Sequence, residues 1–464
     1  MLIRGAELEG GARGDVRIEG GRVGAIGALR AEQGEPVVEA RGGLLLPGLH
    51  DHHVHVAALA ASLTSVRCGP PEVRDAEGLA AALGAAGSGW LRGIGYHESV
   101  AGMLDAAALD RIVPDRPVRV QHRGGRMWFL NSAALDELLA AGEAPPGLER
   151  IGNKYTGRLF EEDDWLKAAL GARPPHFARV GAILAAAGVT GLTEISPAND
   201  SAMARHFAAE RAAGHLPQKV LLAGSPSLCE ADMAGGMRLG PAKLHLHEAA
   251  LPLLDDAIAF VRTAHGANRA VAIHCASEVE LVFALAAVGV AGAMDGDRIE
   301  HVSVAPDSAV AEIARLGLAA VSQPHFIAER GDAYRRDVAP SDQPLLYRLR
   351  AFLDAGVPLA AGSDAPFGAA DPWASMAAAV SRATRSGARI GPAEALTPEQ
   401  ALDLYLAAPE ALGRRRRVAV GAAADLCLID RGWHRARADL SAVAVRATWI
   451  DGRQVLDRVD QSPG

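Results

Sequence analysis

Short apolar runs that end in polar residues recur from residue 189 onward, at 189–196, 219–225, 242–247, 271–274, 298–301, 318–323 and 357–364. Between most of them lie Ala/Leu/Glu/Arg-rich stretches with the spacing of an amphipathic helix, as at 255–264 and 308–316. Strand and helix in regular alternation imply βα units and a parallel sheet, because a parallel crossover needs a connection of helical length. A further apolar run at 44–55 brings the strand count to eight, which predicts an α/β fold built on a TIM (β/α)8 barrel.

The two ends of the chain follow a different pattern. Residues 1–46 alternate short Val/Ile/Leu runs with Gly-rich turns, and 424–430 and 443–450 near the other end read as strands, the second closing on Asp451-Gly452. Segments 1–46 and 416–464 are therefore expected to build one composite β-sandwich domain, with the barrel at 47–61 and 189–415. Residues 62–188 span 127 positions, far more than one βα crossover needs. They are expected to form an inserted subdomain over the barrel mouth, where substrate selection is naturally placed.

Composition narrows the class of protein. With 49% hydrophobic and 22% charged residues, the 464-residue chain can bury a large core and does not read as disordered or collagen-like. The net charge of −8 argues against nucleic acid or an anionic membrane as the main partner. A small-molecule substrate and a homo-oligomeric assembly are expected instead. The basic run at 414–417 reads as a solvated turn. The apolar run at 281–294 is too short and too glycine-interrupted for a membrane span and reads as a buried helix. Four scattered cysteines form no disulfide framework, and the first residues lack the apolar core of a signal peptide, so the expected compartment is the cytoplasm.

Chemistry concentrates in Pro47-Gly48-Leu49-His50-Asp51-His52-His53-Val54-His55. On a regular strand Asp51, His53 and His55 share one face while His50, His52 and Val54 take the other. Two imidazoles on one face can chelate a cation. His274, His301 and Asp364 stand at the ends of later strands, and the C-terminal ends of barrel strands are where such folds place their active sites.

On these residues the chain resembles the amidohydrolase superfamily of metal-dependent hydrolases. The matching motifs are Pro47-Gly48 with His53-Val54-His55, His274, Ile299-Glu300-His301, Gly362-Ser363-Asp364-Ala365-Pro366, and in the tail Leu396-Thr397-Pro398-Glu399-Gln400-Ala401 and Ala424-Asp425-Leu426. Within it the chain is similar to amidohydrolase family 3, the branch containing N-substituted formamide deformylases, through Trp90-Leu91-Arg92-Gly93-Ile94-Gly95, Asn131-Ser132-Ala133-Ala134-Leu135 and Thr156-Gly157-Arg158-Leu159.

The resemblance implies one or two divalent metals, zinc first among them. His53, His55 and Asp364 hold one ion and His274 and His301 the other. Lys243, in Pro241-Ala242-Lys243-Leu244-His245, matches a lysine whose CO2-derived carbamate bridges two metals. It also implies hydrolysis of a C–N bond in an amide, formamide or related carbonyl substrate by a metal-activated hydroxide, with Asp364 as general acid and base. The alternatives are a carbamate, urea or cyclic-imide hydrolase or a deaminase on the same scaffold, or a non-catalytic metal-binding protein.

Two stretches depart from the family pattern. After Lys243 come His245-Leu246-His247-Glu248, and alternation puts Lys243, His245 and His247 on one face, so both histidines are expected to hydrogen-bond behind the ligands or contact substrate. Relatives tend to have Asp-Gly-His where this chain has Gly124-Gly125-Arg126; an arginine there suits an anionic or carbonyl-rich group. Arg126, His122, His97, Trp128 and His325 are thus expected substrate contacts, with Tyr96 and Phe326 as weaker pocket candidates. Glu278 is expected to orient His274, and Cys275 to pack.

Overall fold

The computed structural model describes residues 1–84, 89–171 and 174–458. The chain divides into two compact units, Met1–Val56 with His176–Gly464, and Ala57–Pro175.

The first unit contains eight parallel strands that pair in chain order. They are β1 (Leu49–Val54), β2 (Val189–Glu194), β3 (Lys219–Gly224), β4 (Arg238–Leu244), β5 (Val271–Cys275), β6 (Arg298–His301), β7 (Ala319–Ser322) and β8 (Leu359–Ala361). β1, β2, β6, β7 and β8 are buried at every position, which is why they read as continuous runs rather than alternating ones. The first and last strands meet just past β8: Asp364 N–H donates to the His53 carbonyl at 2.7 Å, and His55 N–H to the Ala365 carbonyl at 3.0 Å. This is the expected TIM barrel, and its seam runs through the residues that carry the chemistry.

The helices between strands begin and end on local signals. Leu254–Gly266, Glu278–Ala291 and Asp307–Leu316 follow β4, β5 and β6. Ser277 and Glu280 form a reciprocal capping box at the second, and Gly317, left-handed at φ 71°, ends the third.

The run at 44–55 is not one strand. Leu45–Pro47 pairs with Leu426–Ile429, while Leu49–Val54 enters the barrel. The break falls at Gly48, where a Cβ would stand 2.0 Å from the Thr190 side chain. Nor is 414–417 a turn, although Arg414 and Arg417 are exposed as expected. Ala411–Arg415 is a strand, and Arg416 donates to the carbonyls of Gly48 (2.7 Å), Tyr405 (3.0 Å) and Ala407 (3.2 Å), tying down that same break. A charged side chain supplied the donors that three carbonyls lacked, which composition alone does not reveal.

The chain ends form two four-stranded sheets. One orders Arg22–Gly27, Arg13–Glu19, Leu2–Glu7 and Val37–Glu39; the other orders Arg453–Asp457, Val445–Ile450, Leu426–Ile429 and Leu45–Pro47. Ile3, Val16, Leu45, Leu428 and Trp449 belong to one shared apolar cluster between them.

Arg382 fastens the loop before β8 to the segment after it. It is fully buried and donates to the carbonyls of Leu346 (2.8 Å), Tyr347 (2.8 Å) and Ile390 (3.0 Å). Substituting Arg382→Met removes those donors and strands buried carbonyls, so stability is expected to fall by roughly 2–3 kcal/mol. A urea midpoint equal to that of the parent chain would show that the loops reorganise without cost.

The second unit is built on a six-stranded sheet ordered Leu148–Ile151, Lys154–Phe160, Met127–Leu130, Val118–His122, Leu91–Tyr96 and Val66–Arg67. Tyr96 and Phe129 pack on one apolar cluster, and Trp128, Leu138 and Leu159 on another. Among the described residues no helix is long and apolar enough to cross a membrane.

Candidate metal centre

β1 does not keep strict alternation. Asp51 lies opposite Leu192 and Val54 opposite Glu194, so β1 carries one extra residue, a bulge within the stretch that holds the histidines. Asp51 consequently leaves the group: its carboxylate accepts the backbone N–H groups of His53 (3.2 Å) and Ser363 (2.9 Å), joining β1 to the segment after β8. The His53 and His55 rings stay neighbours at 5.4 Å.

Asp364 faces both of them, its Oδ1 3.4 Å from His53 Nε2 and 3.2 Å from His55 Nε2. His301 closes the group, its ring 4.6 Å from His53 and 4.4 Å from His274. Ligand atoms of His53, His301 and Asp364 all lie within 4.8 Å of one another. Two left-handed residues make this possible. Glu300 and His301 are adjacent on β6 and alternation would separate them, yet both reach His53, because His301 takes φ 68°. Asp364 takes φ 51° where the chain turns after β8. Such conformations cost energy in non-glycine residues and concentrate at functional sites.

Three of the ligand-type imidazoles, those of His53, His55 and His301, are held by their far nitrogen. His53 Nδ1 meets Glu300 Oε2 at 2.5 Å, His55 Nδ1 meets Ser196 Oγ at 2.9 Å, and His301 Nδ1 meets Gln323 Oε1 at 2.8 Å. A carboxylate or amide oxygen at Nδ1 requires a proton there and leaves Nε2 as a lone pair facing the site, the arrangement of metal-ligating histidine. Glu300 is completely buried and is itself paired with Arg298, whose Nε lies 2.6 Å away. Burial raises the Glu300 carboxyl, but Arg298 and His53 outweigh it and hold it ionised well below the usual range. Burial likewise works against the Asp364 carboxylate, and the imidazoles of His53, His55 and His301 around it still bring it well below its ordinary value. Burial and neighbouring cations push His301 down to about 3 and His274 lower still, so both imidazoles are neutral, the form that binds metals.

Lys243 sits on β4 beside β5, buried, with its Nζ lacking any hydrogen-bond partner. Burial lowers it to about 8, with Glu300 opposing the shift. His53 Nε2 is also buried without a hydrogen bond. Two orphaned buried nitrogens beside neutral imidazoles and an ionised carboxylate are what a divalent cation satisfies, so the donor set fits a metal.

His245 stacks on His274 at 4.3 Å, and is exposed; His247 accepts the Ala249 N–H through Nδ1 at 3.3 Å just past it. His325 does not present itself to substrate. It is buried, with Nδ1 3.2 Å from Ser375 Oγ and Nε2 3.0 Å from the Ser363 carbonyl, and so braces the turn that carries Asp364. Glu278 is exposed, and the carboxylate nearest His274 is Glu280, at 4.0 Å from Nε2. Glu280 also accepts from Ala276 N–H (2.7 Å) and Glu248 N–H (2.8 Å), so helix capping put it there. Cys275 is buried, as expected for packing.

His97, His122, Arg126 and Trp128 belong to the other unit. There His122 Nε2 meets Glu98 Oε2 at 3.0 Å, with the His97 ring 6.0 Å from that of His122, and Arg126 pairs with Glu161. Trp128 is a core residue: buried, its Nε1–H donates to Asp163 at 3.0 Å, and Arg92 and Arg119 lie over its ring. A large ring on a central strand of a sheet finds its partners inside.

Residue reading missed Glu300, Ser196 and Gln323 as holders of the histidines. Glu300 did carry a signal, an acidic residue in a run otherwise reading as a buried strand; Ser196 and Gln323 carried none beyond their place at strand ends.

A parallel eight-stranded barrel with imidazoles and a carboxylate gathered at the C-terminal ends of its strands defines a metal-binding hydrolase. A family model described as the amidohydrolase family matches residues 36–456; the chain belongs to that family, and is a hydrolase acting on carbon–nitrogen bonds other than peptide bonds. It is 26% identical over 517 aligned residues, covering 94% of each chain, to the N-substituted formamide deformylase of Arthrobacter pascens. Its fold is similar to that of an uncharacterized metal-dependent hydrolase from Pyrococcus horikoshii, with a TM-score of 0.76 and 19% identity over 93% of this chain and 97% of that one. It is also similar in fold to N-isopropylammelide isopropylaminohydrolase from Burkholderia multivorans, with a TM-score of 0.54 and 18% identity over 99% of this chain and 98% of that one.

Proposed function

We propose that this protein is a metal-dependent hydrolase that cleaves the C–N bond of a small amide-type substrate, a formamide or a related carbonyl compound. The observation that carries the reading is Asp364 Oδ1 lying 3.4 Å from His53 Nε2 and 3.2 Å from His55 Nε2 at the barrel seam. His53, His55 and Asp364 would hold one divalent cation, with zinc suited to the ligand set, and His274 and His301 a second, with Lys243 as a carbamate between them. The buried, unpartnered Nζ of Lys243 supports the carbamate, because an amine must be unprotonated to add to CO2. When bound, the metal supplies Lewis acidity, making water more acidic and the carbonyl carbon more electrophilic.

The remaining chemistry falls to the chain. Asp364 is ionised and takes the proton that water sheds as its oxygen bonds to the carbonyl carbon. It then delivers that proton to the departing nitrogen as the C–N bond breaks. Glu300, Ser196 and Gln323 keep the imidazoles oriented throughout.

A panel of formamides, other amides, ureas, carbamates and cyclic imides, followed by amine or ammonia and by carboxylate release, tests the reaction. Amine and carboxylate released together from an amide or formamide are expected; ammonia without carboxylate would identify a deaminase. No turnover across the panel would favour a metal-binding protein without catalysis. Dialysis against a chelator is expected to cut turnover to a few per cent and zinc to restore it; unchanged turnover in metal-free protein overturns the metal dependence.

A further inference from the structure

We propose a second cation site, separate from the barrel seam, formed by His176, Glu210 and His215 and suited to a divalent transition metal such as zinc. The site does not depend on the reaction proposed above. Glu210 lies near the end of the helix Ser201–Ala212, His215 just beyond it on the way to β3, and His176 immediately before the helix Ala178–Ala186.

Glu210 is 5% exposed, and its two oxygens are divided between the histidines. Oε1 lies 3.0 Å from His176 Nδ1; Oε2 lies 3.0 Å from His215 Nδ1 and also accepts the Phe177 N–H at 2.7 Å. The two rings stand 5.8 Å apart, edge to face at 84°. One ligand atom from each residue falls within 4.8 Å of the others. Zinc binds imidazole nitrogen and carboxylate oxygen at about 2.0–2.2 Å, so small ring rotations bring all three onto one ion.

Two features argue for a cation over a set of simple hydrogen bonds. The His176 side chain is 83% exposed, and an exposed imidazole gains little from one hydrogen bond against competition from water, yet it is turned onto the carboxylate. The carboxylate, in contrast, is buried, shared and already anchored through the Phe177 N–H, so it is a preorganised ligand with imidazoles on both sides. Two nitrogens and one oxygen leave a position for water or an exogenous ligand. His206 precedes Glu210 by one helical turn on the same helix face, which adds a further imidazole to this surface. A cation here would clamp the chain where it returns from the second unit to the helix preceding β3.

The test uses the full chain saturated with zinc and exhaustively dialysed, with metal measured by mass spectrometry. The paired substitution His176→Ala with His215→Ala is expected to bind one zinc fewer per chain than the parent, with turnover unchanged because neither residue touches the barrel seam. A second measurement needs no variant: zinc is expected to slow modification of His176 and His215 by diethyl pyrocarbonate at least fivefold, read by peptide mass spectrometry. Equal zinc content in parent and variant, or modification rates at these two histidines that zinc leaves unchanged, overturns the site.

Discussion

An Asp364→Asn protein is expected to fold, to retain metal, and to lose roughly 100- to 10,000-fold in kcat, the range typical for removal of a general acid–base group. Asparagine is the informative replacement because it keeps the shape of the side chain and tolerates the left-handed backbone that Asp364 adopts at φ 51°. It still offers an oxygen toward His53 and His55, but it cannot accept a proton near neutral pH. The carboxylate of the parent chain is ready to do so, since His53 and His55 keep it ionised despite its burial. Steady-state kcat and KM, measured beside metal content, separate loss of chemistry from loss of metal. Full activity in the asparagine variant would sink the proton-transfer role, and activity lost together with all the metal would reduce Asp364 to a ligand.

The second large effect is expected at Glu300, which touches no reacting atom. Glu300→Gln removes the negative charge between Arg298 and His53, so a guanidinium that is 3% exposed keeps its 3.1 Å hydrogen bond to the His52 carbonyl but loses its paired carboxylate. Breaking a buried ion pair from one side costs about 3–5 kcal/mol. The same change acts on the metal centre. A glutamine amide can present its N–H to His53 Nδ1, which then accepts and moves the ring proton to Nε2, the nitrogen that faces Asp364. Metal affinity is expected to fall about 10- to 100-fold through this loss of tautomer control. Combining Glu300→Gln with Arg298→Gln separates the two effects: the second substitution removes the stranded charge and recovers stability, but leaves metal affinity low. If Glu300→Gln alone keeps both the denaturation midpoint and the metal, the positioning role is wrong.

Much of the fold was legible because burial on both faces turns a parallel strand into a short apolar run. Runs such as 271–274 and 298–301 kept that signature, and the histidines at their ends kept their place. The β1 region was legible only in part. Its apolar run continued through Gly48, so nothing in the pattern marked the point where pairing passes from Leu426–Ile429 to the barrel; the close approach of Thr190 decided it. The face-sharing of Asp51 with His53 and His55 failed for a related reason, since a single bulge residue resets alternation and has no compositional mark. Trp128 and His325 drew attention as aromatic or polar residues near strand ends, yet their polar atoms are matched internally by Asp163, Ser375 and the Ser363 carbonyl. Residue type cannot distinguish a side chain that is satisfied within the protein from one aimed at a ligand.

What the sequence by itself determined was the family, the barrel and the set of donor types at strand ends, because periodicity and donor chemistry are local properties of a chain. The tertiary structure alone decided how those donors meet. His301 at the end of β6 lies 248 positions after His53 on β1, and Asp364 after β8 lies 63 further on; they come within 4.8 Å only because the barrel closes and two residues accept left-handed backbone. Of the partners that make them ligands, Ser196 and Gln323 follow strands next to those of the histidines they hold, while Glu300, with Arg298 behind it, reaches His53 from β6, which does not pair with β1. Tautomer, ionisation and orientation follow from low-dielectric contacts between segments remote in sequence, so they come into being only when the sheet closes.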